Sequence, residues 1–339
     1  MPMITRERYG ATDVLELRDV PPSRPGAGQV LVRVEAAALN PYDWHAMVGL
    51  PYFARAQFGW RRPRADGLGG DFAGRIEAAG PDVTGLAEGD AVFGLVGHTP
   101  DGSTLALGTL STQLCIAADR VRRRPDHLDA AGAAALPLAG ITALRAVRDA
   151  GAVGPGDRVL VNGASGGVGT FAVQIAKALG GHVTGVCSTR NLELVRSLGA
   201  DEVVDYTSDD PTAGDTRYDL VLDNVGNHPT SRWRRVLADD GLYLASFDHP
   251  ERRLLGPMAA VARMSVGARV HRRRMTMLNW SLRPDDLDAL ADLVDDGSIT
   301  PVVCCTFPLA QTCEAMEHLA SRRARGKIII TMEDTPWGA

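Results

Sequence analysis

The chain has 339 residues, 45% of them hydrophobic and 23% charged, and this length exceeds what one hydrophobic core usually supports, so two domains are expected. Its 37 glycines and 20 prolines fall short of a collagen-like or disordered composition. The formal net charge of -5 supplies no global positive field, which argues against nucleic acid and anionic membranes as partners.

The five cysteines argue against two kinds of site. Their number is odd and no two of them are separated by two residues, so neither a disulfide framework nor a four-cysteine zinc site is expected.

The N-terminus lacks the apolar stretch of a secretion signal. The uncharged run 159–176 contains Asn162, Ser165 and Gln174, which a membrane span would avoid. We therefore predict a cytoplasmic protein with no membrane partner.

Short strands and turns are predicted for the first third of the chain. Val30, Val32 and Val34 alternate with other residues, which is typical of a half-buried strand. Glycines recur between residues 69 and 94 and mark turns. This region is predicted to be a small, mostly β domain.

A doubly wound sheet is predicted after Pro125, where alanine-rich helical sequence gives way to alternating apolar strands and helices. The six predicted strands are Arg158–Val161, His182–Cys187, Glu202–Val204, Asp219–Asp223, Leu242–Ser246 and Met275–Trp280. The tail is predicted to form a helix, a strand, a helix and a last strand at Pro284–Asp295, 302–307, Gln311–Ser321 and Lys327–Met332.

A glycine-rich turn after the first of these strands carries the strongest chemical signal. Glycines there let the backbone approach a pyrophosphate, whose charge is stabilised by free N–H groups at the start of the next helix. Ala164 replaces the first glycine of the usual pattern. The residues expected to bind a dinucleotide are Ala164, Ser165, Gly166, Gly167 and Val168.

The end of the second strand indicates which dinucleotide is bound. An acidic residue there would bind the ribose hydroxyls of NADH and repel a 2′-phosphate. The sequence instead has Ser188, Thr189, Arg190 and Asn191. Hydroxyls and a guanidinium suit a phosphate, so NADPH is favoured over NADH. Taken alone, Arg190 could equally be a solvated charge at a helix start.

The chain resembles the zinc-independent quinone oxidoreductase branch of the medium-chain dehydrogenase/reductase superfamily in the segments NGASGGVGTFAVQIAKALG, SLGADEVVDY, YDLVLDNVG and ARGKIII. Its N-terminal third resembles the GroES-like catalytic domain of that family in VLVRVEAAALNPYDW, GDFAGRIEAAG and GLAEGDAVFG. The resemblance implies an α/β protein with a mostly-β catalytic domain, residues 1–124 and 300–339, and a Rossmann NADP-binding domain, residues 125–299. It also implies an active site between the domains and a homodimer joined along the last Rossmann strand.

The resemblance also locates the positions that bind zinc in zinc-dependent relatives. They match Asp43, Gly70-Asp71 and Leu138, which lack the three ligands that a catalytic zinc needs. Asp43, His45 and Asp71 could together bind a hard cation, but a hydrogen-bonded carboxylate in a turn is the favoured interpretation. No metal site is therefore predicted.

Candidate catalytic residues cluster in NPYDWHAMVGLPYF. In similar enzymes the asparagine of the Asn-x-x-Asp turn lies near the nicotinamide and substrate, a role that would pass to Asn40, while Asp43 holds the turn. A tyrosine donates a proton in some enoyl reductases of the family. Tyr52 lies one residue later than that pattern, and Tyr42 is the alternative. Both tyrosines could instead only line the cleft, and His45 is expected to be structural.

Further cofactor contacts are implied by the same resemblance, mostly at strand carboxyl ends, where doubly wound sheets bind ligands. They are Thr142, Tyr206, Asn224, Val225, Phe247 and Lys327.

Two features are open to other interpretations. The basic runs Arg122–Arg124, His271–Arg274 and Arg322–Arg325 are interpreted as solvated faces, with no nucleic-acid partner, because they are scattered in an acidic chain. The stretch Phe53–Gly67 is predicted to be a long loop that forms a lid over substrate, a contact with an acidic carrier such as an acyl thioester, or plain surface.

The favoured function is NADPH-dependent, metal-free reduction of quinones or α,β-unsaturated carbonyl compounds. Hydride addition to a conjugated acceptor needs less help than alcohol oxidation, which relies on a Lewis acid. One alternative is an enoyl-thioester reductase of fatty-acid or polyketide assembly, and another is a non-catalytic NADP-binding interaction protein. The excess of arginine over lysine is typical of a high-GC bacterial genome.

Overall fold

The structure is a computed structural model, and it describes residues 1–22, 24–97, 107–246, 274–278, 283 and 285–332. The chain divides into two compact units. The first unit contains Met1–Ala139, Leu282–Asp295 and Pro301–Ala339, and the second contains Gly140–Ser281 and Asp296–Thr300.

The regular elements alternate between strands and helices along most of the chain. The strands are β1 Pro2–Thr5, β2 Glu16–Asp19, β3 Gln29–Leu39, β4 Asp71–Ala79, β5 Ala91–Leu95, β6 Gln113–Ala117, β7 Val121–Arg123, β8 Arg158–Asn162, β9 His182–Cys187, β10 Glu202–Asp205, β11 Tyr218–Asp223, β12 Leu237–Ala245, β13 Arg274–Met277, β14 Val303–Pro308 and β15 Lys327–Thr331. The helices are α1 Pro41–Val48, α2 Arg55–Phe58, α3 Ala130–Ala135, α4 Pro137–Leu144, α5 Gly167–Ala178, α6 Leu192–Ser197, α7 Thr230–Trp233, α8 Asp285–Asp295 and α9 Thr312–Ala320.

The first unit is built on a seven-stranded, mostly antiparallel sheet in the order β14-β15-β3-β4-β5-β7, with β6 also paired to β3. Strand β3 pairs with β6 through its first residues and with β15 through its last ones, while β4 pairs along most of its length. Val30, Val32 and Val34 are buried, as the alternation predicts. Because β3 ends where β4 and β15 begin, three strand termini meet at one place.

The second unit contains the six-stranded sheet, in the order β10-β9-β8-β11-β12-β13. Every pair in it is parallel, so the predicted doubly wound Rossmann sheet is confirmed. Val159–Val161 in the central strand β8 is fully buried, as a parallel strand covered on both faces must be. The carboxyl ends of β8, β9 and β11 therefore lie side by side and form the edge at which such sheets bind ligands.

Three predicted segments differ from the structure by more than one residue at a boundary or in type. Strand β12 begins at Leu237 rather than Leu242. Leu237 already pairs with Tyr218 of β11, and the regular pairing resumes at Leu242 after a shift of register across the polar residues between them. Strand β13 ends at Met277, and residues 279–282 lie outside the described part of the chain. The predicted loop Phe53–Gly67 contains helix α2, preceded by a 3₁₀ turn at Tyr52–Ala54.

The run Arg122–Arg124 is ion-paired within the first unit. Its three guanidinium groups lie 2.5, 2.7 and 3.0 Å from carboxylates of Asp288, Asp90 and Glu35. The positive charge is therefore neutralised locally. In the part of the chain that the structure describes, no helix is both long and apolar enough to span a membrane.

Candidate functional site

The glycine-rich turn follows β8, and its geometry depends on two glycines. Gly163 has φ +81°, in the left-handed region that glycine adopts without strain. A Cβ on Gly169 would lie 2.1 Å from the carbonyl oxygen of Gly163 and 2.8 Å from Cα of Ala164. Only glycine therefore lets α5 start this close to the turn. Gly166 and Gly167 at the start of α5 carry no side chains, so the helix N-terminus stays open to an anion.

The segment after β9 is tied to this turn by one buried hydrogen bond. Asn191 donates its side-chain N–H to the hydroxyl of Ser165 at 2.8 Å, and both residues are buried. Ala164 in the turn is also fully buried. Ser165 and Asn191 thus hold the two predicted cofactor segments in a fixed relation, while Arg190 lies exposed in the 3₁₀ turn Thr189–Asn191.

An acidic residue that the sequence analysis missed lies beside this segment. Asp205 ends β10, paired next to Cys187 at the end of β9. Its carboxylate accepts hydrogen bonds from the hydroxyl of Thr189 at 2.5 Å and from the N–H and hydroxyl of Thr207 at 2.9 and 2.7 Å. These bonds lower the pKa of Asp205. The usual position of a ribose-binding carboxylate is directly after β9, whereas this carboxylate comes from the neighbouring strand β10.

A buried polar network joins the carboxyl ends of β8, β11 and β12. Asp223 is fully buried; its Oδ1 accepts from the side chain of Asn162 at 2.8 Å and from the N–H groups of Val225 and Gly226 at 3.0 and 2.9 Å. Its Oδ2 accepts from the hydroxyl of Tyr243 at 2.8 Å. Burial, together with the Asp223 carboxylate, raises the pKa of Tyr243. Asp223 therefore anchors the loop after β11, and sequence reasoning did not single it out.

Asn224 in this loop is half-buried, and its buried Nδ2 and Oδ1 atoms have no hydrogen-bond partner among the residues that the structure describes. A buried amide normally makes hydrogen bonds. Its Cβ lies near Gly163 of the glycine-rich turn, at 3.5 Å from where a Cβ on that glycine would be. Asn224 is thus a polar group at the ligand-binding edge with unused donor and acceptor capacity.

The other predicted cofactor residues are dispersed over both units. Thr142 is buried on α4. Tyr206 is exposed after β10, and Val225 is exposed in the loop after β11. Phe247 lies outside the described residues. Lys327 lies in the first unit, at the start of β15.

Lys327 is buried in the first unit and donates three hydrogen bonds to protein oxygens. Its ammonium donates to the carbonyl oxygen of Leu39 at 3.2 Å, to Oδ1 of Asn40 at 2.5 Å and to Oδ2 of Asp71 at 3.2 Å. The side chain of Asn40 also donates to Asp71 Oδ2 at 3.0 Å and to the carbonyl oxygen of Ala38 at 3.3 Å. The three meeting strand termini therefore carry one network, which fixes the amide of Asn40.

Asp43 holds the turn that begins α1. Its Oδ2 accepts the backbone N–H of Asn40 at 2.8 Å, as expected three residues into a helix. The carboxyl is fully buried, and burial raises the pKa of Asp43 to about 7. The Asp71 carboxylate also raises this pKa, whereas the Asn40 N–H and the Lys327 ammonium lower it. His45 is hydrogen-bonded through Nδ1 to the carbonyl oxygen of Leu50 at 2.8 Å.

The two candidate tyrosines differ in exposure. Tyr52 is 37% exposed, and the guanidinium of Arg55 lies over its ring at 4.8 Å. Tyr42 packs edge-on against Phe58, with ring centroids 5.1 Å apart, and its buried hydroxyl has no hydrogen-bond partner within the described part of the chain. Burial raises the pKa of Tyr42, and the neighbouring Asp43 carboxylate raises it further.

Known families and relatives cover most of this chain. The family described as "Alcohol dehydrogenase GroES-like domain" matches residues 26–126, and the one described as "Zinc-binding dehydrogenase" matches residues 198–330. The chain is 31% identical to "Quinone-oxidoreductase QR1, chloroplastic" of Triphysaria versicolor, over 92% of each chain. The chain belongs to the quinone oxidoreductase branch of the medium-chain dehydrogenase/reductase superfamily.

Two further relatives span nearly the whole length of this quinone oxidoreductase family member. It is 33% identical to "NAD(P)H oxidoreductase RTN4IP1, mitochondrial" of Homo sapiens, over 98% of this chain and 89% of the relative. The solved structure of the quinone oxidoreductase from Coxiella burnetii superimposes with a TM-score of 0.84 at 29% identity, over 98% of this chain and 99% of that one. Two of these relatives are named as chloroplastic and mitochondrial proteins, so a cytoplasmic location for this chain stays a prediction.

The medium-chain dehydrogenase/reductase family implies a nicotinamide dinucleotide, and the residues of the second unit fit one. The glycine-rich turn leaves room for a phosphate at the start of α5, and the orphaned amide of Asn224 lies at the same edge. Ser188 and Arg190 supply polar groups at the end of β9, beside Asp205.

Zinc-dependent members of the superfamily also raise the question of a catalytic metal, and the residues here do not fit one. Leu138 has no donor side chain, and its backbone N–H donates to Asp71 Oδ1 at 3.0 Å. The other oxygen of Asp71 accepts from the Lys327 ammonium, which would repel a cation. Asp43 and Asp71 alone fall short of the three protein ligands that a catalytic zinc needs.

Replacing Asp43 by Asn is expected to make stability less dependent on pH. The pKa of Asp43 is raised to about 7 from an ordinary 3.8. Between about pH 4 and pH 7 the folded protein therefore keeps a proton that the unfolded chain has already released. Wild-type stability therefore falls as pH rises through this window. Relative to wild type, Asp43→Asn is expected to gain about 2 kcal/mol between pH 5 and pH 7.5, measured by denaturant unfolding.

The exposed Asp119 of the same unit provides the control. Asp119→Asn is expected to shift stability by the same small amount at both pH values. Parallel stability curves for Asp43→Asn and wild type would contradict the buried, protonated carboxyl.

Proposed function

We propose that this protein catalyses the NADPH-dependent, metal-free reduction of quinones or α,β-unsaturated carbonyl compounds. The observation that carries the proposal is the ammonium of Lys327, hydrogen-bonded to Asp71 among positions that match the zinc ligands of zinc-dependent relatives. A fixed ammonium there leaves no Lewis acid to stabilise an alkoxide, as alcohol oxidation requires. A conjugated acceptor accepts hydride without one, since its charge moves to an oxygen that hydrogen-bond donors stabilise.

The second unit would bind the dinucleotide through its sheet edge. The N-terminus of α5 and the glycine-rich turn would bind the pyrophosphate, and Ser188 and Arg190 the 2′-phosphate. The amide of Asn224 would bind a polar group of the same ligand, since both of its polar atoms are otherwise unsatisfied. When bound, the reduced nicotinamide supplies hydride from its C4 atom.

The first unit would position the turn that precedes α1. We assign Lys327 to the orientation of Asn40 rather than to a cofactor contact, because its ammonium is buried and bonded to three protein oxygens. The amide hydrogens of Asn40 are likewise used within the unit. Tyr52 has the exposure that a proton donor to substrate needs, whereas the Tyr42 hydroxyl is buried. Water remains the alternative donor.

A stopped assay tests the proposal directly. NADPH and NADH oxidation would be measured over benzoquinones, enals, enones and enoyl thioesters, with a metal chelator present. The expected result is turnover of a quinone or enone with NADPH, unchanged by the chelator. Loss of turnover on chelation would overturn the metal-free assignment. Binding of NADPH without oxidation over any acceptor would favour the non-catalytic alternative.

Arg190→Ala is expected to remove the preference for NADPH. A charge-assisted hydrogen bond to a phosphate contributes roughly 1.5–3 kcal/mol, so kcat/KM with NADPH is expected to fall about 10- to 100-fold. With NADH it is expected to change by less than about twofold, since that cofactor lacks the phosphate. Steady-state kinetics with both cofactors measures the split.

Arg196→Ala is the matched control. This arginine lies on the following helix α6, half-exposed and paired with Glu193 at 3.0 Å. Its replacement is expected to leave both cofactors unaffected. Equal losses with NADPH and NADH in Arg190→Ala would remove the phosphate assignment, and a wild-type preference for NADH would indicate that Asp205 governs the site.

A further inference from the structure

A cluster of three soft ligand atoms lies in the first unit, away from the network around Lys327. The sulfur atoms of Cys304 and Cys305 and a ring nitrogen of His318 all lie within 4.8 Å of one another. Cys304 Sγ is 3.8 Å from His318 Nε2. All three side chains are half-buried. Among the described residues this is the only group of histidine, cysteine and carboxylate side chains with such convergence.

A bulge in β14 creates the cluster. Consecutive side chains in a regular strand point to opposite faces, so Cys304 and Cys305 would be separated. The pairing of β14 with β15 shifts between Val303 and Cys305, which leaves Cys304 as an extra residue without a partner in the ladder. Such a bulge redirects a side chain. Both thiols therefore approach one neighbour, His318.

His318 reaches the thiols from α9, which packs on the same face of the sheet. Cys305 and Phe307 both pack against the core of this unit, and the ring of Phe307 lies 6.4 Å from that of His318. The histidine lies in the last turn of α9, 14 residues after Cys304. Packing of strand and helix thus fixes all three ligands before any ion binds, which lowers the entropic cost of binding one.

We propose that Cys304, Cys305 and His318 bind one thiophilic divalent cation of the Zn²⁺ class. Two sulfurs and one imidazole nitrogen are donors that Zn²⁺ prefers, whereas Mg²⁺ and Ca²⁺ prefer oxygen. In a tetrahedral zinc site, Zn–S bonds of about 2.3 Å and Zn–N bonds of about 2.0 Å place neighbouring donors roughly 3.5–3.8 Å apart. The separation of Cys304 Sγ and His318 Nε2 agrees with this spacing.

The site would be an open one, with three protein ligands and a fourth position for water. Binding replaces the two thiol protons by the cation and releases them to solvent. This site is independent of the proposed reductase function and departs from the prediction of no metal site.

Titration of the full chain tests the proposal. The reduced, chelator-treated protein would be titrated anaerobically with Zn²⁺ against a chromophoric chelator. We expect one equivalent to bind, with a rise in Tm that saturates at that equivalent. Cys304→Ser and Cys305→Ser are each expected to weaken binding more than about 100-fold, and His318→Gln at least about 10-fold, since even outer partners of ligands change affinity 10- to 100-fold.

Cys313→Ser is the matched control. Cys313 is a half-buried thiol on the same helix α9, and its sulfur lies 3.5 Å from the carbonyl oxygen of Thr12, a bond that serine preserves. This variant is expected to bind Zn²⁺ as wild type does. Failure of wild type to bind an equivalent, or equal affinity in Cys304→Ser, would overturn the proposal.

Alkylation of the wild-type protein provides a second measurement that needs no variant. With Zn²⁺ present, iodoacetamide labelling of Cys304 and Cys305, followed by peptide mass spectrometry, is expected to slow at least about tenfold. Labelling of Cys115 and Cys313 is expected to be unchanged. Equal rates at Cys304 and Cys305 with and without Zn²⁺ would overturn the assignment even if an ion binds elsewhere.

Discussion

Lys327→Met is expected to destabilise the protein by about 3–5 kcal/mol, because it leaves the fully buried carboxyl of Asp71 without its counter-charge. The substitution also removes the donor to Asn40 Oδ1 and to the Leu39 carbonyl oxygen. Methionine fills a similar volume, so the loss reports charge and hydrogen bonding rather than a cavity. Denaturant unfolding at pH 7 measures the change.

The loss in Lys327→Met is expected to grow as pH rises. Burial already raises the pKa of Asp71, and the Lys327 ammonium lowers it. Removal of the ammonium raises this pKa further, so the folded state holds a proton that the unfolded chain releases above its ordinary pKa. Stability of the variant therefore falls more steeply than that of wild type from pH 5 to pH 8. Adding Asp71→Asn is expected to recover most of the loss, because the buried charge is then gone.

The only other lysine, Lys177, provides a matched control. Its ammonium pairs with Asp201 at 2.8 Å, with both side chains about one-third exposed. Lys177→Met is expected to cost less than about 1 kcal/mol, as for other exposed ion pairs. A comparable loss in both variants, or no rescue by Asp71→Asn, would contradict a buried pair at Lys327.

The architecture of the second unit was predictable because its signals are local. Apolar strands that alternate with helices specify a parallel sheet, and the glycine-rich turn marks the strand at its centre. The Asn-x-x-Asp turn that the family resemblance implies also located Asp43 at the N-terminal turn of α1. Such patterns work because the interacting atoms are only a few residues apart in the chain.

The contacts that were missed join residues distant in sequence. Lys327 and Asn40 are 287 residues apart and meet only because β15 pairs beside the end of β3. Asp205 reaches Thr189 from an adjacent strand. Their partners depend on strand order and register, which no single segment encodes. Cys304 and Cys305 both lie near His318 because a bulge interrupts the alternation of side chains that is used to predict strands.

Asp223→Ala is expected to have a large effect on both stability and nucleotide binding. The substitution leaves four donors without their acceptor: the side chains of Asn162 and Tyr243 and the N–H groups of Val225 and Gly226. At about 1 kcal/mol for each lost partner, the free energy of unfolding is expected to fall by roughly 3–4 kcal/mol. The loop that carries Asn224 also loses its anchor, so Kd for NADPH is expected to rise at least about tenfold, measured by titration calorimetry.

Asp219→Ala separates the effect on the loop from a general loss of charge in β11. Asp219 lies at the exposed beginning of the same strand and accepts one hydrogen bond, from the backbone N–H of Arg158 at 2.8 Å. Its removal is expected to cost less than about 1 kcal/mol and to leave the Kd for NADPH unchanged, because water can replace the carboxylate as acceptor for the exposed N–H of Arg158. If Asp223→Ala is destabilised but binds NADPH as tightly as Asp219→Ala does, then Asp223 supports only the fold. A weaker affinity confined to Asp223→Ala would instead mean that the buried carboxylate positions the loop for the dinucleotide.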